Sequence, residues 1–304
     1  MEKVIVVIGP TSVGKTKMGV ALAKKFNGEV ISGDSMQIYK QMDIGTAKVT
    51  EEEKEGIIHH CVDILNPDET YSVHDFQQTV RKKITEITQR GHVPIIVGGT
   101  GLYIKAALYD YQFDEMENDH HAINEKYKDY TNEQLHDHLK SIDEESAKIL
   151  HFNNRRRVLR AIEIYETTGK RKSEMLEEQE HICLYDAYFV GLTLPRDVLY
   201  ERINKRVDVM MENGLKEEME RLYSQGLTRN HQSMKAIGYK EWFDYYDHQI
   251  DLNDVLELIK KHSRQYAKRQ YTWFKNQFDV HWYDVNLENF EQTIEQVTDD
   301  IEKI

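Results

Sequence analysis

The chain reads as an α/β protein: a P-loop NTPase-like core with a mostly parallel sheet flanked by helices, an inserted all-helical lobe and a helical C-terminal part. Three observations predict it. An apolar run, Val4-Ile5-Val6-Val7-Ile8, leads into Gly9-Pro10-Thr11-Ser12-Val13-Gly14-Lys15-Thr16, then into a segment with Met18, Leu22 and Phe26 four residues apart; that is strand, glycine-rich loop, helix. Further short apolar runs recur near 29–32, 93–97 and 184–192 with helical patterns between them, the alternation that builds a parallel sheet. No strand pattern interrupts residues 114–180, where the charge changes sign. Residues 1–112 and 183–304 are therefore expected to form the core, and 113–182 the insertion.

Composition bounds the reading. A chain of 304 residues suffices for one large domain or two modest ones. Its hydrophobic share of 39% and charged share of 31% suit a soluble protein with much solvated helix surface. No apolar run approaches the roughly 20 residues of a membrane span, and residues 1–8 read as a strand, not a signal peptide. Cys61 and Cys183 stand far apart without metal-ligand spacing, which fits a reducing cytosol. His59-His60 and His120-His121 lack the cysteines or the spacing that metal ligation needs. The net charge of −13 argues mildly against nucleic acid, although a binding surface is local and net charge is a sum.

The first loop carries chemistry. In such a loop, successive backbone N–H groups and a helix N-terminus point at one anion. Lys15 adds a mobile positive charge, and Thr16 can place its hydroxyl on a Mg²⁺ ion that bridges phosphate oxygens. Gly28 reads as the cap that closes the first helix. The second strand, Glu29-Val30-Ile31-Ser32, delivers Gly33-Asp34-Ser35-Met36-Gln37 to the ligand-binding edge of the sheet. Asp34 is there a candidate general base or metal-organising acid; a turn-capping aspartate has the same look. Ser72 and Asp75 form a capping box that opens a helix to about Arg90, closed by Gly91. The third strand, Val93–Val97, brings Gly98-Gly99-Thr100-Gly101 to the same edge, for a backbone that approaches a ligand closely or for a tight turn.

From Asp114 to Lys148 there are eleven acidic residues against four lysines; from His151 to Lys172 the sign reverses. Arg155, Arg156, Arg157 and Arg160 are dense enough to contact a phosphate backbone, although a solvated helix face is the plainer reading. After the fourth strand, Leu184–Leu192, Arg202 and Arg206 share one helix face and can close over phosphates. The rest is expected to be helical. Gln232–Lys240, with Lys235 and Lys240, and Tyr266–Phe274 interleave bases with aromatics, as stacking surfaces or as buried rings under lysine stems. From Asn286 the tail reads as an acidic amphipathic helix. Three function classes remain: a P-loop small-molecule kinase using ATP, a group-transfer enzyme acting on RNA, and a nucleotide-switched RNA binder.

Taken together, the segments resemble the bacterial tRNA dimethylallyltransferase (tRNA isopentenyltransferase) family. They are Gly9–Thr16, Asp34-Ser35-Met36-Gln37-Ile38-Tyr39, Asp43-Ile44-Gly45-Thr46-Ala47-Lys48, His59-His60 with Asp63-Ile64, Tyr71-Ser72 and Asp75-Phe76. Gly98-Gly99-Thr100-Gly101-Leu102-Tyr103, Arg156-Arg157-Val158-Leu159-Arg160-Ala161, Ala236-Ile237-Gly238-Tyr239 and Ala267-Lys268-Arg269-Gln270 follow in order. Val13 stands where many members have serine. The resemblance implies transfer of dimethylallyl from dimethylallyl diphosphate to N6 of the adenosine 3′-adjacent to the anticodon, in tRNAs reading codons that start with U. It implies that the P-loop, Arg202 and Arg206 hold the diphosphate with Mg²⁺ at Thr16, and that Lys15, Thr16, Asp34 and Arg206 are catalytic, Asp34 as general base. It implies that Asp34–Gln37, Thr100 and Arg156–Arg160 meet the tRNA anticodon stem-loop, in a cytoplasmic and monomeric enzyme.

Overall fold

The structure, a computed structural model, describes residues 1–111, 120–177 and 181–303. Strand β1 (Lys3–Ile8) is buried from Val4 onward, because its side chains alternate between two apolar layers. Val4, Val6 and Ile8 pack with Phe76, Ile84 and Ile104 on one face of the sheet. Ile5 and Val7 pack with Met18, Leu22 and Val190 on the other. A strand covered on both faces needs a continuous apolar run, which Val4–Ile8 supplies.

The neighbours follow from the same logic. Strands β2 (Gly28–Ser32), β3 (His59–His60), β4 (Val93–Gly98), β5 (Asp186–Thr193) and β6 (His281–Asp284) join β1 in a parallel sheet of order β3-β2-β4-β1-β5-β6. Ile5 lies opposite Ile95 and Tyr188, and Val30 opposite Ile95. Helices α1 (Lys15–Lys25), α2 (Val73–Gln89) and α3 (Gly101–Leu108) make the crossovers. The capping box is present, with Ser72 Oγ accepting from Asp75 N–H at 3.1 Å. Gly91, at φ 77°, follows the end of α2.

Two expectations change. β3 and β6 are strands that the hydrophobic pattern does not announce, since His59-His60 and His281–Asp284 are short and polar edge strands that pair on one side only. The left-handed residue after α1 is Asn27, at φ 51°, not Gly28. Gly28 instead begins β2, where a Cβ would meet Val93 O at 2.7 Å.

The chain divides into two units, Met1–Tyr109 with Cys183–Ile304, and Asp110–Ile182. The boundary expected at 113 falls in 112–119, outside the described residues. The second unit is helical among its described residues, with α4 (Asn132–Ile142) and α5 (Arg155–Thr168) the longest segments. Its own core gathers Tyr127, Leu135, Leu139, Val158, Leu159 and Ile162. In the first unit, β5 is followed by α6 (Arg196–Glu212), α7 (Leu215–Ser224), α8 (Leu252–Gln277) and α9 (Phe290–Glu302), the last being the expected amphipathic tail.

The β2–β4 register rests on a bare backbone contact. A Cβ on Gly98 would stand 2.3 Å from the carbonyl carbon and oxygen of Gly33. Gly98→Ala should therefore lower stability by about 1–3 kcal/mol or more, the usual penalty for overpacking, read as a lower urea midpoint. An unchanged midpoint contradicts this register.

Candidate active site

The loop between β1 and α1 turns through three left-handed residues, Gly9 (φ 147°), Ser12 (φ 65°) and Gly14 (φ 105°). Glycine is required at the first and third: a Cβ would meet Leu192 O at 2.6 Å or the Phe290 ring at 2.7 Å. Val13 turns inward and is fully buried, so this position offers a ligand its backbone only.

Around the loop the structure gathers three cations, with Asp34 and Glu53 on the same cavity. Lys15 Nζ donates to Pro10 O at 2.8 Å. Arg206 reaches Thr11 Oγ1 at 3.3 Å and Ser12 Oγ at 3.5 Å, and Arg202 Nε donates to Ser12 O at 3.0 Å. Among the described residues no carboxylate lies within ion-pairing distance of any of the three. Burial, and after it the neighbouring Arg206, pushes Lys15 down to about 7, against the pull of Asp34. Burial also lowers Arg206. A desolvated cation without a partner is unfavourable. Lys15 and Arg206 are such cations, and with the exposed Arg202 they surround one nest of backbone N–H groups, a site for a multivalent anion.

The end of β2 brings Asp34 to the same place. Asp34 Oδ1 accepts the backbone N–H of Met36 at 2.8 Å and of Gln37 at 3.3 Å. Its Oδ2 has no hydrogen-bond partner among the described residues. Two cavities meet here. One, of about 750 Å³, is lined by Lys15, Thr16, Asp34, Gln37, Arg202 and Arg206. The other, of about 340 Å³, is lined by Asp34, Ser35, Met36, Arg206, Lys235 and Lys240. Asp34, Thr46, Arg206 and Tyr266 border both. One carboxylate thus faces an anion site on one side and a second compartment on the other.

The second glycine loop borders the larger cavity through Gly98 and Gly99 and also makes room for a helix. Cβ atoms at Gly99 and Gly101 would strike Gln270 Nε2 at 2.1 Å and the Trp273 ring at 2.2 Å, so these glycines admit helix α8. From α8, Gln270 accepts from Thr11 N–H at 3.0 Å and donates to Gly99 O at 2.9 Å, tying the two glycine loops together. In the sequence Gln270 carries no signal of this role beyond its place in Ala267-Lys268-Arg269-Gln270. Thr100 lines neither cavity, and its hydroxyl accepts from Ser35 N–H at 3.1 Å. Of the aromatics weighed as stacking platforms, Tyr239 and Phe274 are fully buried and Trp273 packs on the core, the plainer of the two readings.

The model of the IPP transferase family matches residues 37–277. A tRNA dimethylallyltransferase of Bacillus cereus is 55% identical over 287 residues, covering 93% of this chain and 90% of the relative. One of Bacillus anthracis is 54% identical, covering 93% and 91%. The crystal structure of a tRNA Δ(2)-isopentenylpyrophosphate transferase from Staphylococcus epidermidis superposes with a TM-score of 0.75 at 47% identity, covering 100% of this chain and 99% of that one. A eukaryotic dimethylallyltransferase acting on tRNA superposes with a TM-score of 0.85 at 33% identity, covering 98% of this chain and 78% of that one. The chain belongs to the IPP transferase family.

In this family member, the arginine-rich segment of the second unit divides by role. Arg155 donates to Tyr130 O and Tyr127 O, both at 2.7 Å, and so serves the helix ends. Arg160 pairs with the buried Glu163 at 2.8 Å. Val158 and Leu159 lie in the unit's core, which withdraws their side chains from any surface. Arg156 and Arg157 are exposed. Of the two histidine pairs, His60 Nε2 lies 2.6 Å from Glu29 and His59 Nδ1 lies 2.9 Å from Ile57 O, whereas the side chains of His120-His121 are outside the described residues. No group of three His, Cys, Asp or Glu could hold a metal among the described residues, and no helix there is long and apolar enough to cross a membrane. Thr16 lines the larger cavity with no hydrogen bond to its hydroxyl among the described residues. A Mg²⁺ held chiefly by phosphate oxygens and water fits that arrangement.

The depressed Lys15 has a measurable consequence. A bound diphosphate raises the pKa of the ammonium beside it, so binding takes up a proton. Diphosphate affinity should fall as pH rises above about 7, by up to about tenfold per unit for one proton. Lys15→Met should bind more weakly and lose that share of the slope, as titration calorimetry between neutral and alkaline pH would read. An equal slope in both proteins would assign the titration to the ligand.

Proposed function

We propose that this protein transfers the dimethylallyl group of dimethylallyl diphosphate to N6 of the adenosine 3′-adjacent to the anticodon of tRNA, releasing diphosphate, in the cytoplasm. The observation that carries the reading is the pairing of uncompensated cations around Lys15 with a carboxylate that borders a second compartment. The names of the relatives supply the substrates, and they favour prenyl transfer over the kinase alternative.

The chemistry divides between the two sides of Asp34. The allylic carbon–oxygen bond breaks and its electron pair leaves with the diphosphate. The P-loop amides, Lys15 and Arg206 stabilise the charge that builds on the departing oxygens. Mg²⁺ at Thr16 would add to that stabilisation. The N6 lone pair forms the new carbon–nitrogen bond, and an N6 proton passes to Asp34. Oδ1 is held by two backbone N–H groups, which orients Oδ2 to accept it. Adenosine reaches the site only by leaving its stack, at roughly a few kcal/mol. Ser35, Met36, Lys235 and Lys240 border that compartment. Thr100 acts from behind by holding Ser35, and Arg156 and Arg157 offer phosphate contacts.

Two measurements test the assignment. Asp34→Asn should slow single-turnover prenylation by roughly 10²–10⁴-fold, the usual worth of a general base, and leave donor affinity nearly unchanged. Lys15→Ala should weaken both. Equal loss of donor affinity in the two variants contradicts the base role, and turnover near wild type in Asp34→Asn removes it. For the RNA contact, Arg156→Ala with Arg157→Ala should reduce the salt dependence of tRNA binding by about one per lost phosphate contact. A slope equal to wild type would leave those arginines as ordinary surface charge.

A further inference from the structure

Helix α7 carries a buried carboxylate with no cation beside it. Glu218 is 2% exposed. Its Oε2 accepts the backbone N–H groups of Asp43 and Ile44, both at 2.9 Å, and its Oε1 accepts that of Gly45 at 3.1 Å. Tyr239 adds its hydroxyl to Oε1 at 2.6 Å. No ion pair involves Glu218 among the described residues, so three successive amides and one phenol satisfy its two oxygens. The phenol stays protonated, because burial and Glu218 itself raise Tyr239 well above its ordinary value. The ring of Tyr239 also lies close against the loop, where a Cβ on Gly45 would stand 2.5 Å from Cζ.

The loop held in this way is part of both cavities: Thr46 and Ala47 border each. Ala47 sits at φ 49°, a conformation a non-glycine residue keeps only where its surroundings impose it. The carbonyls of Thr46 and Ala47 face Gln37 Nε2 at 3.4 and 3.2 Å. Gln37 Oε1 accepts from Ser32 Oγ at 3.2 Å, and the Gln37 N–H donates to Asp34 Oδ1. A continuous hydrogen-bonded path therefore runs from Glu218 through residues 43–47 and Gln37 to Asp34.

We infer that Glu218, with Tyr239, is a positioning device for the transfer reaction: it holds the 43–47 loop so that Gln37 fixes the carboxylate of Asp34. This rests on the proposed function, since it assigns Glu218 a part in that reaction without contact to substrate. Gln37, Thr46 and Ala47 border the anion cavity, but the hold that Glu218 provides includes no hydrogen bond to the P-loop, Arg202 or Arg206 among the described residues. Its loss should therefore separate rate from donor binding.

The experiment compares Glu218→Gln, Tyr239→Phe and Gln37→Ala with the double variant Glu218→Gln/Gln37→Ala. Each is assayed for single-turnover prenylation of an anticodon stem-loop RNA, for dimethylallyl diphosphate affinity, and for amide hydrogen exchange across 43–47. Glu218→Gln leaves amides facing an NH₂ group, so the rate should fall about 10–100-fold with donor affinity within about twofold, and Tyr239→Phe should fall less in the same sense. The double variant should be no more than about twofold slower than the slower single variant, as residues acting through one path behave. Multiplicative losses, or a donor affinity that falls with the rate, overturn the inference, because they describe general support of the fold. If Glu218→Gln does not fold, Tyr239→Phe decides: a folded Tyr239→Phe with wild-type rate overturns it. Exchange at 43–47 is read without any chemistry. Unchanged exchange in the variants overturns the inference whatever the reaction proves to be. Faster exchange beside a wild type that prenylates no RNA faults the proposed function and still supports the hold on the loop.

Discussion

Positive charge without a protein counter-ion is the constraint on which the site depends. Lys15, Arg202 and Arg206 converge on Pro10, Thr11 and Ser12 with only carbonyl and hydroxyl oxygens as partners. In a partly buried place this arrangement is unfavourable until an anion arrives. The sheet and helices hold it open. Gly9 and Gly14 lie against Leu192 and Phe290 so closely that side chains are excluded, and Gln270 fixes the Thr11 amide from α8. These contacts are made within the protein itself, the kind of fixed dipole arrangement that stabilises developing charge with little reorganisation.

The same rigidity extends to the carboxylate. Asp34 leaves β2 one residue after Gly33, whose backbone is pressed against Gly98. The β2–β4 register therefore sets the height of Asp34 above the P-loop. Turn hydrogen bonds to Met36 and Gln37 set its rotation, and the loop on Glu218 sets Gln37. A helix far along the chain, α7, thereby bears on an aspartate at position 34 without approaching a substrate.

Much of this was legible in the sequence, and the gaps have physical reasons. Strands β1, β2, β4 and β5 are legible because burial on both faces demands apolar residues in succession, such as Val4–Ile8, Val30-Ile31, Ile95–Val97 and Phe189-Val190. The edge strands β3 and β6 pair on one side only, tolerate His59, His60 and His281, and so left no pattern. The P-loop was readable because its glycines and lysine are fixed in spacing by one local turn. Glu218 and Gln270 were not readable as parts of the site, because their partners stand 173 to 175 and 259 residues away in the chain. The arginine cluster looked uniform in sequence. Arg155 and Arg160 proved to be used inside their own unit, which leaves Arg156 and Arg157 at the surface.

The central claim is that the P-loop of this chain serves an allylic diphosphate and not ATP. Its most direct test is to incubate the purified protein and Mg²⁺ with tRNA and either dimethylallyl diphosphate or ATP, then digest the RNA and measure nucleoside masses. The account predicts a prenylated adenosine with the diphosphate donor alone, and neither RNA modification nor phosphoryl transfer with ATP. Phosphoryl transfer from ATP to a small acceptor, with unmodified adenosine in both reactions, would contradict it.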